Sequence, residues 1–256
     1  MEFIERDVTI GAAVLRIKQS LLKDRPTLVF LHDSLGCITL WRDFPQRLAE
    51  AVDCGVLSYD RQGYGQSSAF TSTRSSSYLE QEADVLIQVL EELGIRSGIA
   101  FGHSDGGSIA LIAAAKRPDL FAAVITEGAH VFVEDITVAG IRETQLLYQT
   151  TDLKERLRKY HGDKTEDVFS AWADTWLSAP YRSWNMESFL AAVQCPVLVI
   201  QGKTDEFGTI AQVDAIVLQV SGPAEKLMVE GKGHSPHRDA ANLVLESASR
   251  FINSII

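Results

Sequence analysis

Short apolar runs recur along the chain, each followed by a longer stretch in which apolar residues return at helical spacing. The runs are TLVFL (27–31), GVLSY (55–59), SGIAF (97–101), AAVIT (122–126), PVLVI (196–200) and KLMV (226–229). Runs this short, bounded by Gly, Asp or Pro, describe strands buried on both faces of a parallel sheet. Between them, Leu79, Ala83, Leu86, Leu90 and Leu93 fall on one stripe of segment 78–93, and Gly94 supplies a stop. The same periodicity predicts helices over 105–117, 208–220 and 240–254. Strand and helix in alternation give an α/β fold, a mainly parallel sheet with helices on both faces. The first 20 residues alternate polar and apolar around Gly11, which predicts an antiparallel hairpin at one edge of that sheet.

The alternation breaks over 128–190. No strand run occurs there; helical patterns such as IRETQLLYQTTDLKERLRKYH are followed by Phe169, Trp172, Trp176, Tyr181 and Trp184. The expected division is therefore a core of 1–127 and 191–256 carrying a helical cap insertion at 128–190. Its aromatics serve to pack the insertion onto the core. As a group, Trp172, Trp176 and Trp184 are also candidates for lining a pocket suited to a medium or large apolar substrate group.

Composition narrows the function classes. The 256 residues hold 24 Lys+Arg against 34 Asp+Glu, a net charge of −10, with 46% hydrophobic residues. That apolar content excludes disorder as the main state, and the acidic balance argues against nucleic acid, whose phosphates need clustered Lys and Arg. Three cysteines, Cys37, Cys54 and Cys195, have no metal-ligand spacing and read as reduced structural thiols. No secretory signal pattern opens the chain, and no apolar run approaches the roughly 18 residues of a membrane span. The expectation is a soluble cytoplasmic protein with neither membrane nor nucleic-acid partner; its oligomeric state stays open.

The segment SGIAFGHSDGG (97–107) carries the chemistry. An apolar strand runs into Gly102-His103-Ser104-Asp105-Gly106 and then into a helix. A turn this sharp strains its central residue, needs small neighbours, and leaves the Ser104 hydroxyl exposed above the end of the sheet. The backbone N–H that follows, that of Asp105, then faces the place where an oxyanion would develop. Asp105 itself has two readings: a carboxylate favoured by the helix dipole, or one that meets an ammonium group on a substrate.

These motifs, in their order, resemble the α/β-hydrolase superfamily in its capped, single-domain, carboxylesterase-like form, over nearly the whole chain. LVFLHDSLG (28–36) is similar to the strand and loop that supply the second oxyanion donor, and SYDRQGYGQS (58–67) to the family's D-x-R-G-x-G-x-S loop. PVLVIQGKTDEFG (196–208) resembles the strand ending in the catalytic acid, and GKGHSPH (231–237) the loop of the catalytic histidine. The resemblance implies an eight-stranded sheet and a Ser104–His234–Asp205 triad, with the backbone N–H groups of Asp105 and Ser34 as oxyanion hole. Glu127, after the AAVIT strand, stands where some relatives carry the acid instead, and Glu206 is a neighbouring decoy.

The other histidines are expected elsewhere. His103 lies within the turn, His32 in the oxyanion loop, His130 and His161 in or beside the cap, and His237 at the start of the last helix. His234 and His237 form no metal site on this reading, since Pro236 intervenes and no further ligands cluster. The chain departs from its relatives at His32-Asp33, where many read His-Gly; Asp33 sets a carboxylate beside the oxyanion hole and is a candidate substrate contact. A serine triad needs no cofactor. The resemblance implies hydrolysis of a carboxylic ester, apolar or amine-bearing, with a lactone among the options. The same triad also serves thioester, amide and C–C bond hydrolases, and the fold serves ligand-binding or signalling proteins with little turnover.

Overall fold

The computed structural model describes residues 1–256 and contains one eight-stranded sheet. The strands are β1 (Ile4–Ile10), β2 (Ala13–Ser20), β3 (Thr27–Leu31), β4 (Gly55–Tyr59), β5 (Gly98–His103), β6 (Phe121–Glu127), β7 (Val197–Gly202) and β8 (Ala224–Val229). Their spatial order is β1-β2-β4-β3-β5-β6-β7-β8. The N-terminal hairpin is antiparallel and sits at one edge, and every pairing from β4 to β8 is parallel.

Continuous apolar strands have two faces to cover, and successive residues do alternate between two cores. Val29, Leu31, Leu57, Ala100 and Val124 enter the larger core. Their neighbours Leu28, Phe30, Val56, Ile99, Phe101 and Ile125 enter the second. Helices α1 (Phe44–Val52) and α10 (Ala241–Asn253) cover that second face, with Phe30, Trp41, Phe44 and Phe101 as its aromatic centre. The larger core is closed by α2 (Tyr78–Glu92), α3 (Asp105–Lys116) and α8 (Ile210–Gln219).

Between β6 and β7 the chain forms α4 (Asp135–Thr150), α5 (Leu153–His161), α6 (Thr165–Leu177) and the short α7 (Glu187–Leu190). The stretch 128–190 contains no strand, only one antiparallel bridge between Phe132 and Asn185. A last short helix, α9 (Pro236–Asp239), precedes α10. All three cysteines are buried and free, and burial raises the thiols of Cys37 and Cys195 to about 12 and about 11. No helix is long and apolar enough to cross a membrane.

Candidate active site

The turn between β5 and α3 is built as the GHSDGG sequence requires. Ser104 has φ 54° and ψ −120°, a backbone conformation that costs a residue with a side chain of order 1–3 kcal/mol. Surrounding packing enforces it. A Cβ on Gly102 would lie 2.2 Å from the Gly106 carbonyl oxygen, and one on Gly106 would lie 2.1 Å from that of Leu31. The Ser104 N–H donates to the Glu127 carbonyl at 2.8 Å, which ties the turn to the end of β6.

Asp205 leaves β7 and His234 sits in the loop after β8. The His234 Nδ1–H faces both Asp205 oxygens, at 2.9 and 3.0 Å, and Asp205 Oδ1 also accepts from the Phe207 N–H at 2.9 Å. Burial works against charge on both groups, yet their mutual attraction prevails. Asp205 is held below the usual carboxylate range and His234 above the usual imidazole value. With Nδ1 committed to Asp205, Nε2 is the ring nitrogen free to accept a proton. Glu206 is the exposed neighbour; its Oε2 accepts from the His234 backbone N–H at 3.2 Å.

Ser104 and His234 line one cavity of about 170 Å³. Its apolar wall comes from Leu35, Ile141, Trp172, Trp176 and Phe207. Its polar wall includes Asp33, Ser34, His103, His130, Thr137, Thr144 and Glu206, with no lysine or arginine. The Ser34 N–H has no internal acceptor, and neither has that of Asp105 at the first position of α3. Asp33, half-buried at the cavity, is held down to about 2: burial opposes its charge, but His103 and Arg238 more than offset this.

Two expectations about recognition are corrected. The Asp105 carboxylate does not line the cavity. It is buried, accepts from the Tyr78 hydroxyl at 3.0 Å and lies 3.5 Å from the Arg61 guanidinium. It does stand in the first turn of α3, where the dipole favours a carboxylate, and its one side-chain hydrogen bond is that from Tyr78. The Tyr78 hydroxyl in turn accepts from Trp176 Nε1 at 2.8 Å, so this wall of the site rests on a buried polar chain that reaches α6. Trp184 is absent from the cavity as well, because it stacks on Tyr181 at 5.4 Å and packs against Trp176 at 5.8 Å. With much of the aromatic surface spent on itself, the cavity is smaller than a large apolar group needs. A cavity of about 150 Å³ takes up a benzene molecule.

The remaining candidates are engaged elsewhere. Glu127 is fully buried and bound to His237, accepting from the ring Nδ1–H at 2.5 Å and the backbone N–H at 3.0 Å. It is therefore committed to the segment just beyond His234 and does not reach that ring through Nδ1. His237 is a buried anchor in α9, its ring tilted against that of Trp41 with centroids 4.7 Å apart. His103 Nε2–H donates to the His234 carbonyl at 2.9 Å. His103, Glu127 and His237 bring ligand-type atoms within 4.8 Å of one another, but these atoms are spent in the hydrogen bonds just described. Tyr78 and Arg61 were not singled out from sequence; the only signal was the position of Arg61 inside the D-x-R motif.

Residues 26–188 match the family described as alpha/beta hydrolase fold. The chain is 28% identical to the serine hydrolase BPHL of Homo sapiens over 206 residues, 77% of this chain and 69% of that protein. It is 27% identical to a 2-hydroxy-6-oxononadienedioate/2-hydroxy-6-oxononatrienedioate hydrolase of Klebsiella pneumoniae over 233 residues, 78% of each chain. Among solved structures it resembles the 2-hydroxy-6-oxo-6-phenylhexa-2,4-dienoate hydrolase of Rhodococcus sp. strain RHA1. That likeness has a TM-score of 0.80 at 17% identity, over 97% of this chain and 99% of that one, and it is a likeness of fold.

Proposed function

The chain belongs to the α/β-hydrolase fold family, and on that premise we propose that it is a serine hydrolase acting on small carboxylic esters or lactones. The observation that carries the reading is His234, its Nδ1 held by Asp205 at 2.9 and 3.0 Å, in the same cavity as the strained Ser104.

A serine hydroxyl is a weak nucleophile until a base takes its proton. Ser104 Oγ attacks the ester carbonyl carbon and its proton passes to His234 Nε2. Asp205 stabilises the resulting imidazolium, and the N–H groups of Asp105 and Ser34 receive the oxyanion. Collapse of the tetrahedral intermediate breaks the bond to the alcohol oxygen, which takes the proton from His234. A water molecule then attacks the acyl-enzyme, again through His234, releasing the acid and restoring Ser104.

Charge distinguishes this reading from C–C bond hydrolysis of the dioate kind. A dienedioate carries two carboxylates, whereas the cavity presents Asp33 and Glu206 and no lysine or arginine. Esters that are neutral or bear an ammonium group suit such walls, with Asp33 and Glu206 as the available contacts; Asp105 is already occupied by Tyr78 and Arg61.

The test is steady-state hydrolysis of matched esters whose acyl groups are cationic, neutral or anionic, with wild type and Ser104→Ala. The expected result is turnover of the first two, poor turnover of the third, and loss of all of it on Ser104→Ala. Unchanged turnover by Ser104→Ala, or a preference for the anionic ester, sinks the reading. One acyl group bound per protein without further turnover would make it a ligand-binding member of the family.

A further inference from the structure

We propose that His161, although carried by the cap, is a positioning residue for the oxyanion hole, fixing the Ser34–Leu35 backbone from above. The proposal rests on the reading that the Ser34 N–H is an oxyanion donor.

His161 is buried at the end of α5, and its ring spans two core loops remote in sequence. The Gly65 backbone N–H donates to Nδ1 at 3.1 Å, and Nε2 lies 3.0 Å from the Leu35 carbonyl. A backbone N–H can only donate and a carbonyl can only accept, so Nδ1 must be bare and Nε2 must carry the proton. Only the neutral Nε2–H tautomer satisfies both partners. Burial, the largest influence on the ring, holds its pKa below the ordinary imidazole value, against the pull of Asp60 and Asp33.

Besides His161, the segment is held by its own turn, in which the Gly36 N–H donates to the Asp33 carbonyl at 3.2 Å, by the Ile38 N–H on Asp60 Oδ1 at 2.7 Å, and by contacts on its far side. His32 uses Nδ1–H toward the Asp33 carbonyl at 2.8 Å and accepts the Arg61 N–H on Nε2 at 3.1 Å. Arg61 Nη2 adds a bond to the same Asp33 carbonyl at 3.0 Å. These contacts fix the chain up to Asp33. The next backbone oxygen held by a side chain is that of Leu35, and the side chain is His161. Between the two anchors stands Ser34, whose N–H has no internal acceptor and whose residue lines the cavity. The foot of the cap is itself secured, since Lys164 Nζ donates to the carbonyls of Tyr64, at 3.2 Å, and Ser67. Seating the cap and aligning the oxyanion donor are therefore one event: a cap that lifts at α5 releases Leu35.

The test compares His161→Phe, which keeps the ring and removes both nitrogens, with His161→Gln, which keeps a donor and an acceptor. Backbone hydrogen exchange needs no substrate, and in the phenylalanine variant Gly65 and segment 33–36 are expected to exchange faster. With a neutral ester, kcat should fall on the order of tenfold to a hundredfold, the scale of a displaced oxyanion donor, while KM stays within about twofold. A boronic acid forms a tetrahedral adduct on the serine and probes the oxyanion hole; its Ki should rise in proportion to the loss in kcat. His161→Gln should recover most of each effect. The proposal is overturned if exchange over 33–36 is unchanged. It is equally overturned if KM rises while kcat and the boronic acid Ki stay put, or if the glutamine variant is as impaired as the phenylalanine one. Should the latter not fold, the glutamine variant alone decides by whether exchange and Ki stay near wild type. Retained turnover in Ser104→Ala would remove the catalytic reading and leave the exchange result standing.

Discussion

Asp205→Asn removes one charge from the site and almost nothing else. In the wild type Oδ1 accepts from the Phe207 N–H at 2.9 Å, so the asparagine oxygen is expected to keep that place. The amide nitrogen then occupies the Oδ2 position, 3.0 Å from His234 Nδ1. The oxygen stays 2.9 Å from Nδ1 and can still accept its proton, but an amide N–H now faces the same nitrogen and favours the tautomer in which the ring surrenders that proton. Surrender moves the proton to Nε2, the nitrogen that must accept from Ser104; retention leaves the imidazolium without its counter-charge. The closest precedent, the same substitution in a serine protease triad, costs about 10⁴ in rate, which at 1.36 kcal/mol per decade is about 5.5 kcal/mol. A loss of about 10³ to 10⁴ in kcat/KM is expected here. The pH profile should move as well. His234 acts as a base only when neutral and Asp205 raises its pKa, so wild-type kcat/KM falls as pH drops through a value above the ordinary 6.5. Without Asp205 that limb shifts to lower pH. The assay is kcat/KM for an activated ester between about pH 5 and 9, alongside a thermal melt. A loss below about tenfold, or an unmoved limb in a folded variant, would refute the assignment of Asp205.

Asp33 also raises the His234 pKa, through space, so Asp33→Asn should shift the same limb downward by less than Asp205→Asn does. Its removal should favour anionic over cationic esters in kcat/KM, and an unchanged charge preference would remove Asp33 from recognition. Gly102→Ala sets a methyl group 2.2 Å from the Gly106 carbonyl oxygen, a backbone atom that cannot yield cheaply. A destabilisation of about 1–3 kcal/mol is expected in denaturant titration, with activity lost beyond what unfolding explains; a wild-type midpoint would mean the turn relaxes freely.

Strand positions were legible because a strand buried on both faces must be apolar throughout, and such runs stand out between polar loops. Helix α1 was not read: Phe44–Val52 is a short helix with Pro45 in its first turn. In the cap, the spacing of Trp172 and Trp176 signals a buried face without saying what it faces. Trp172 and Trp176 reach the cavity, while Trp184 meets Tyr181 instead. Asp105 was legible only in part. Its place in the first turn of α3 suits the helix dipole, as its position beside Ser104 implies, but its partners are Tyr78 and Arg61, and nothing near Asp105 in the chain encodes them. For the same reason His161 read only as a cap residue, since its partners Leu35 and Gly65 are 126 and 96 positions away.

Ser104, Asp205 and His234 follow three different strands, and the end of β6 explains how Ser104 and His234 keep their places. Glu127 supplies two functions from one residue. Its main-chain oxygen receives the Ser104 N–H, holding the strained turn, and its carboxylate receives the ring and backbone N–H of His237, three residues past His234. A buried carboxylate is costly unless several donors converge on it. Here burial opposes the charge, but His237, together with His103 nearby, brings Glu127 below the usual glutamate range. His103 completes the bracket from the end of β5 by holding the His234 carbonyl at 2.9 Å. Ser104 and His234 are thus fastened to the same strand end through Glu127 and His103. Glu127 therefore anchors the loop that carries His234, and Asp205 is the carboxylate that holds the His234 ring through Nδ1.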